Sequence, residues 1–306
     1  MPVSQRDIRN RIGSVKNIQK ITRAMEMVAA ARLRRAEQRI EALRPYADAI
    51  RRMTRQAAEA AGDLPRLPIL QEHGNVQVVG LLLVAGDRGL AGAFNSNIVR
   101  SGVAGGREHE REGRSAVYYA SGRRPASSIT FRGLNLAGSF TGFTDRPAYA
   151  DARRIAETLI AAYVDGDVDQ VEIFYNRYIS PLTQHVVRET LLPLQRATLL
   201  GEDDGGREGD SESDRRSEHH ALVEYEPDPE QILGRLVPDY VEVSVYRALL
   251  ESTASEHGAR MTAMRNASEN ARKLIADLTL EMNRARQAEI TQEIMEVVAG
   301  AEGLAG

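Results

Sequence analysis

Residues 8–40 read IRNRIGSVKNIQKITRAMEMVAAARLRRAEQRI. Ile8, Ile12, Val15, Ile18, Ile21, Met25 and Val28 recur every three or four positions. The pattern resumes at Ala36, Ile40, Leu43, Ala47 and Ile50. One narrow apolar stripe of this kind is the seam of a coiled coil rather than the broad face of a globular helix. No glycine interrupts it between Gly13 and Gly62, and Ser4 with Asp7 has capping-box spacing. A helix over about residues 4–60 is therefore expected, with a kink near residues 41–44 where Pro45 removes a backbone donor.

The far end of the chain mirrors the near end. Val241, Val245 and Leu249 begin a second stripe. Ala267, Ala271, Leu274, Leu278, Met282 and Ala285 continue it, and Ile294 and Val298 close it. Each helix of some 55 residues would reach roughly 80 Å, wider than any small domain. Two such helices bury their stripes against each other or against a partner. An antiparallel pair follows if the middle of the chain brings their bases together.

Residues 77–194 alternate between strand and helix signals. Val76 to Ala85 is a nearly continuous apolar run, which suits a buried strand of a parallel sheet. A glycine turn follows at 86–92, then a short helix from about Asn95. Further strands are expected at 116–120, 169–175 and 183–190, with a helix at 147–164. This order predicts a small doubly wound sheet. The fold class is thus a mixture of α+β and α/β: a long antiparallel coiled coil plus a small Rossmann-like α/β domain. The expected divisions are an N-terminal shaft helix at 1–60 and a base domain at 70–200. An acidic disordered insertion at 201–222 and a foot segment with a short helix at 223–237 come next. A C-terminal shaft helix at 238–300 completes the chain.

Charge is unevenly placed. Residues 1–60 hold 14 Lys or Arg against 6 Asp or Glu, a net of +8, although the whole chain is near neutral at -3. Residues 201–220 hold 8 acidic against 3 basic residues and almost nothing apolar. The basic arm is a solvated face or an electrostatic track for acidic partners. With no cysteine in the chain, disulfides and thiolate metal sites are excluded. No run approaches the 18 apolar residues of a bilayer span, and the start lacks the apolar core of a secretory signal.

The turn GDRGLAG at 86–92 stands where phosphates bind in nucleotide folds. Its spacing is G-x-x-G-x-x-G, it lacks the Lys-Ser/Thr of a P-loop, and Asp87 would repel phosphate. No G-x-S-x-G or H-E-x-x-H appears. Neither a cofactor nor a metal nor activity within this chain alone is expected. Two alternatives stand beside this reading. One is a nucleotide-binding α/β enzyme with helical arms. The other is a basic coiled-coil nucleic-acid binder, although no recognised reading motif is present.

The run at 8–47 closely resembles the start of the gamma subunits of F-type ATP synthases. GDRGLAGAFN, YEPDP at 225–229, SEHGARMTAMRNASENARKLI at 255–275 and ARQAEITQEIMEVVAGA at 285–301 resemble that family too, in order along nearly the whole chain. Ala91 stands where the family often has cysteine. The resemblance implies a rotor shaft that is not itself catalytic, turning within a ring of alpha and beta subunits. Epsilon and the membrane c-ring would be further partners, without nucleic acid and without insertion into the bilayer. The implied location is peripheral, on the cytoplasmic face of a bacterial cell membrane. It further implies that Met25, with Arg23 beside it, faces an acidic lever of beta. Arg260, Arg286, Gln287 and Thr291 would catch loops of the ring, and Tyr225 and Glu226 would meet the polar loops of the c-ring.

Overall fold

In a computed structural model, the structure describes residues 5–61, 67–194 and 229–305. Ser4, the insertion at 201–222 and the pair Tyr225 and Glu226 lie outside them. The element order is α1 (Gln5–Ala61), β1 (Val78–Val84), α2 (Phe94–Arg111), β2 (Ser115–Ser121) and α3 (Arg123–Phe131). It continues with β3 (Leu136–Phe140), α4 (Tyr149–Val164), β4 (Gln170–Tyr178), β5 (Gln184–Leu192) and α5 (Pro229–Ala305). Two compact units result: residues 32–259 form one, and residues up to Ala31 with those from Arg260 onward form the other.

The larger unit is built on one five-stranded sheet in the order β3-β2-β1-β4-β5. β1 runs parallel to both β2 and β4, β2 runs parallel to β3, and β5 closes the edge antiparallel to β4. The central strand is covered on both faces, which explains its unbroken apolar sequence. Val79, Leu81 and Leu83 pack with Ile98, Val99 and Val103 of α2. Leu82 and Val84 pack on the opposite face with Ile155 and Leu159 of α4 and Val245 and Leu249 of α5. Each fully buried side chain of this size contributes about 1.5–3 kcal/mol.

The doubly wound sheet is as expected, but two elements were not. α3 and β3 escape the periodicity argument, because RRPASS is polar and LAGSF is short and small. α2 is 18 residues, not a short helix. Its Gly102 is a packing device: a Cβ there would lie 2.1 Å from Leu83 Cδ2, so only glycine lets the helix settle on the sheet. The expected break at Pro238 is absent. α5 is helical from Pro229 onward, although Pro238 withholds the donor that the Gly234 carbonyl would otherwise receive.

The smaller unit pairs the distal parts of α1 and α5 in antiparallel sense. Ile8 and Ile12 are buried with Leu278, and Ile275, Met282 and Ala285 pack around them. Glu26 meets Arg265, so residue numbers fall on one helix as they rise on the other. The seam on α1 runs through Ile8, Ile12, Val15, Gln19, Thr22, Glu26 and Ala29, a strict alternation of four and three. This corrects the expected stripe at Ile18, Ile21 and Val28, which are 53%, 58% and 54% exposed. On α5 the seam takes Ile275, and Leu274 points to solvent.

Candidate functional site

In a doubly wound sheet, ligands bind outside the carboxyl ends of the strands, where the strand order reverses. Here the reversal lies between β1 and β4. α5 fills that crevice. Ser252 Oγ donates to the carbonyl of Val84 at the end of β1 (3.2 Å), and Ser255 Oγ to that of Asn176 on β4 (3.0 Å). Glu256 lies so close to Gly86 that a Cβ there would sit 2.8 Å from its carboxyl carbon. The remaining cavity, lined by Val84, Ala85, Thr144, Leu249 and Glu256 among others, has a volume of about 10 Å³. That is room for about one water molecule and for no nucleotide.

The glycine turn is closed by its own anion. Asp87 Oδ1 accepts the backbone N–H of Arg123 (3.0 Å), the first residue of α3. Its Oδ2 accepts the N–H of Gly142 (2.9 Å) and the hydroxyl of Thr144 (3.0 Å). Thr144 Oγ1 in turn accepts the Asp87 N–H (2.9 Å). A carboxylate therefore caps the N-terminus of α3, the helix after β2, and ties it to the glycine turn. Gly122, at φ +110°, makes this possible by bringing α3 in against the Ala85 carbonyl. Leu90, at φ +63° and exposed, is the one non-glycine residue in the left-handed region among the described residues.

At the opposite end of the sheet, where β1 and β4 begin, Asp169 accepts the backbone N–H groups of Gln77 (2.8 Å) and Val78 (2.9 Å) and faces His73 Nδ1 at 2.9 Å. Burial pushes its carboxyl up. The backbone donors and His73 outweigh burial and hold it below the usual carboxylate range. His73 also stacks on Tyr163, with ring centroids 4.6 Å apart.

In the smaller unit, Glu26 is the pivot. It is 8% exposed at a seam position and binds Arg23 Nη1 (3.2 Å) and Arg265 Nε (3.0 Å). Arg23 is exposed and is held by this ion pair. Arg265 completes the cluster and was not anticipated, because only the antiparallel register brings it to Glu26. Two guanidiniums against one carboxylate leave the cluster net positive. Met25 is half-buried beside the seam rather than in it. Arg260 is 8% exposed and engaged within the chain, so it does not share the open surface of Arg286, Gln287 and Thr291. Every residue from 286 to 299 is exposed, and Thr291 spends its hydroxyl on the Gln287 carbonyl (2.9 Å). Ile290, Ile294, Val297 and Val298 form an apolar stripe on that bare helix, at helical spacing.

Among the described residues no cluster of His, Asp or Glu is arranged to hold a metal ion, and no helix is long and apolar enough to cross a membrane. The larger unit has filled its ligand crevice with its own helix, and the smaller unit carries exposed surfaces on long helices.

Known proteins share this arrangement. Residues 4–304 match the ATP synthase family. The ATP synthase gamma chain of Rubrobacter xylanophilus is 43% identical over 99% of both chains, and that of Moorella thermoacetica is 42% identical over 98% of both. A chain in the central stalk and c-ring of Tetrahymena thermophila mitochondrial ATP synthase is 26% identical. It matches with a TM-score of 0.58 over 81% of this chain and 99% of its own. A rotor chain of the Euglena gracilis mitochondrial enzyme shares the fold at a TM-score of 0.62. With the whole chain matched at this identity, and the crevice of a nucleotide fold closed, the protein belongs to the ATP synthase gamma chain family.

Proposed function

We propose that this chain is the central stalk of a proton-translocating ATP synthase, turning inside a ring of alpha and beta subunits while its base rides on the c-ring with epsilon beside it. The observation that carries the reading is the bare end of α5. Fourteen consecutive helical residues, 286–299, are exposed and present an apolar stripe. A lone helix of that length is marginal in water, so it needs a surrounding surface. A ring of larger subunits is such a surface, and the Tetrahymena relative belongs to the central stalk and c-ring of an ATP synthase.

In this reading the chain holds no catalytic residue, and ATP chemistry belongs to the ring. Its work is differential contact, because a partner shifts a conformational equilibrium only by binding its states unequally. Arg23 and Met25 on α1, and Arg286, Gln287 and Thr291 on α5, touch the ring. Arg260 is buried and supports the helix that carries them. Arg265 joins Arg23 in the contact. Tyr225 and Glu226 belong to the foot. Exposed ion pairs are worth about 0–1 kcal/mol, which suits contacts that must break at each step. The chain is peripheral, on the cytoplasmic face of a bacterial membrane.

The test is co-purification of alpha and beta subunits with a tagged full-length chain, set against a chain carrying Ile294→Glu and Val298→Glu. Retention by the native chain and weaker retention by the variant is expected. A native chain that brings down neither subunit would overturn the reading.

A further inference from the structure

One stretch of α5 departs from the logic of its helix. Residues 252–258, STASEHG, are all buried, so the helix here is covered around its whole circumference. An all-round buried helix is normally apolar. This one carries Ser252, Thr253, Ser255, Glu256 and His257. Buried hydroxyls in helices commonly fold back onto the carbonyl four residues earlier. Ser252 and Ser255 instead donate across to the sheet, to the carbonyls of Val84 and Asn176. Thr253 Oγ1 is shared between the Leu249 carbonyl (2.8 Å) and that of Thr144 (2.9 Å) in the loop between β3 and α4. Two turns earlier, Arg247 Nη2 binds Glu189 Oε2 on β5 at 2.9 Å. The other oxygen of Glu189 takes the Tyr175 hydroxyl (2.9 Å) and Arg177 Nη2 (2.7 Å). Four residues within a nine-residue stretch of one helix are thus fixed to β1, β4, β5 and the β3–α4 loop.

We propose that Ser252, Thr253 and Ser255 are positioning residues that lock α5 against rotation about its own axis, so that torque passes between the sheet and the shaft. The inference rests on the central-stalk reading and deepens it. Apolar contact is non-directional, so a helix held by Leu249 and Val245 alone can turn in its bed at little cost. A hydrogen bond is directional and short-ranged. At a hydroxyl radius of roughly 4 Å, a turn of about 30° carries the donor roughly 2 Å from its acceptor, which breaks the bond. Bonds to three separate parts of the sheet domain resist turning in either sense. Their acceptors are backbone carbonyls of β1, β4 and the β3–α4 loop that Asp87 pins.

The experiment uses the assembled synthase in membrane vesicles, with ATP hydrolysis and ATP-driven proton pumping read in the same preparation against an opposing gradient. The variants are Thr253→Val, Thr253→Ser and the triple change Ser252→Ala, Thr253→Val, Ser255→Ala. The triple variant should hydrolyse ATP while its pumping per ATP falls by about twofold or more, the weight of lost directional bonds. Thr253→Val should fall less, and Thr253→Ser, which keeps the hydroxyl, should match the native ratio. If the triple variant does not assemble, Ser255→Ala alone is read the same way. A native pumping ratio in the hydroxyl-less variants, or an equal fall in Thr253→Ser and Thr253→Val, would overturn the lock. A complex with the native chain that hydrolyses without pumping would instead count against the stalk reading.

Discussion

Asp87 shows how one residue settles what a fold can do. The strand, glycine turn and helix around it have the order of a phosphate site, but its carboxylate turns the loop inward, onto the start of α3 and the loop after β3. Removing it leaves the donors of Arg123, Gly142 and Thr144 without their shared acceptor. Since hydrogen bonds to a charged group contribute about 1.5–3 kcal/mol each and are not additive, Asp87→Ala should destabilise the chain by about 2–4 kcal/mol in a denaturant titration. A loss under about 0.5 kcal/mol, the range of ordinary surface changes, would contradict the staple. At the amino ends of β1 and β4, Asp169 predicts a pH dependence. Its folded pKa lies below the ordinary 3.8, so its contribution is full above that value. The contribution is lost as pH falls from there through the lower folded value. The stability gap between the native chain and Asp169→Asn should therefore be widest near neutrality and close in acid. A gap that did not change with pH would contradict the assignment.

At the scale of elements, the smaller unit makes a sharp claim about orientation. Cysteines introduced at Ile12 and Leu278, joined by a short thiol crosslinker, should couple within one chain, because both residues lie in one buried cluster. The chain has no cysteine of its own to confuse the result. Coupling of Ile12 to Met264 instead would indicate a different register. The elements also show where the sequence was legible. β1 was plain because burial on both faces leaves an unbroken apolar run. The existence of both long helices was plain from their period. The phase of the seam was not, because Gln19, Thr22 and Glu26 hold seam positions while Ile18, Ile21 and Val28 sit outside. In an ordinary globular helix that pattern would be an error. On a surface that meets a partner it is expected, and a single-chain argument has no term for a partner. α2 outran the short helix expected, continuing through Gly102, Gly105 and Gly106. These glycines let the helix lie close against Leu83, Phe174 and Tyr118. Of the coupling surface, exposure and charge could be read from residues, but the roles of Arg23, Met25 and Thr291 came from resemblance. The buried state of Arg260 and the pairing of Arg265 needed the register.

For the whole molecule, the parts answer to one demand. A shaft needs stiffness, which helices of 57 and 77 residues supply. It needs a base that holds the shaft, which the filled crevice supplies by spending a ligand site on α5. It needs surfaces open to partners, and Arg23 and the apolar stripe of residues 290–298 are exposed. None of these requires chemistry in the chain, and the fold of a nucleotide-binding domain serves here as a clamp. The central claim is rotation. A single cysteine at Arg111, at the exposed end of α2, gives a unique attachment point on the base domain. With the alpha and beta subunits fixed to a surface and a bead attached to that cysteine, addition of ATP should turn the bead continuously in one direction, pausing three times per turn. A bead that only fluctuates about a fixed angle, in a complex that is hydrolysing ATP, would contradict the account.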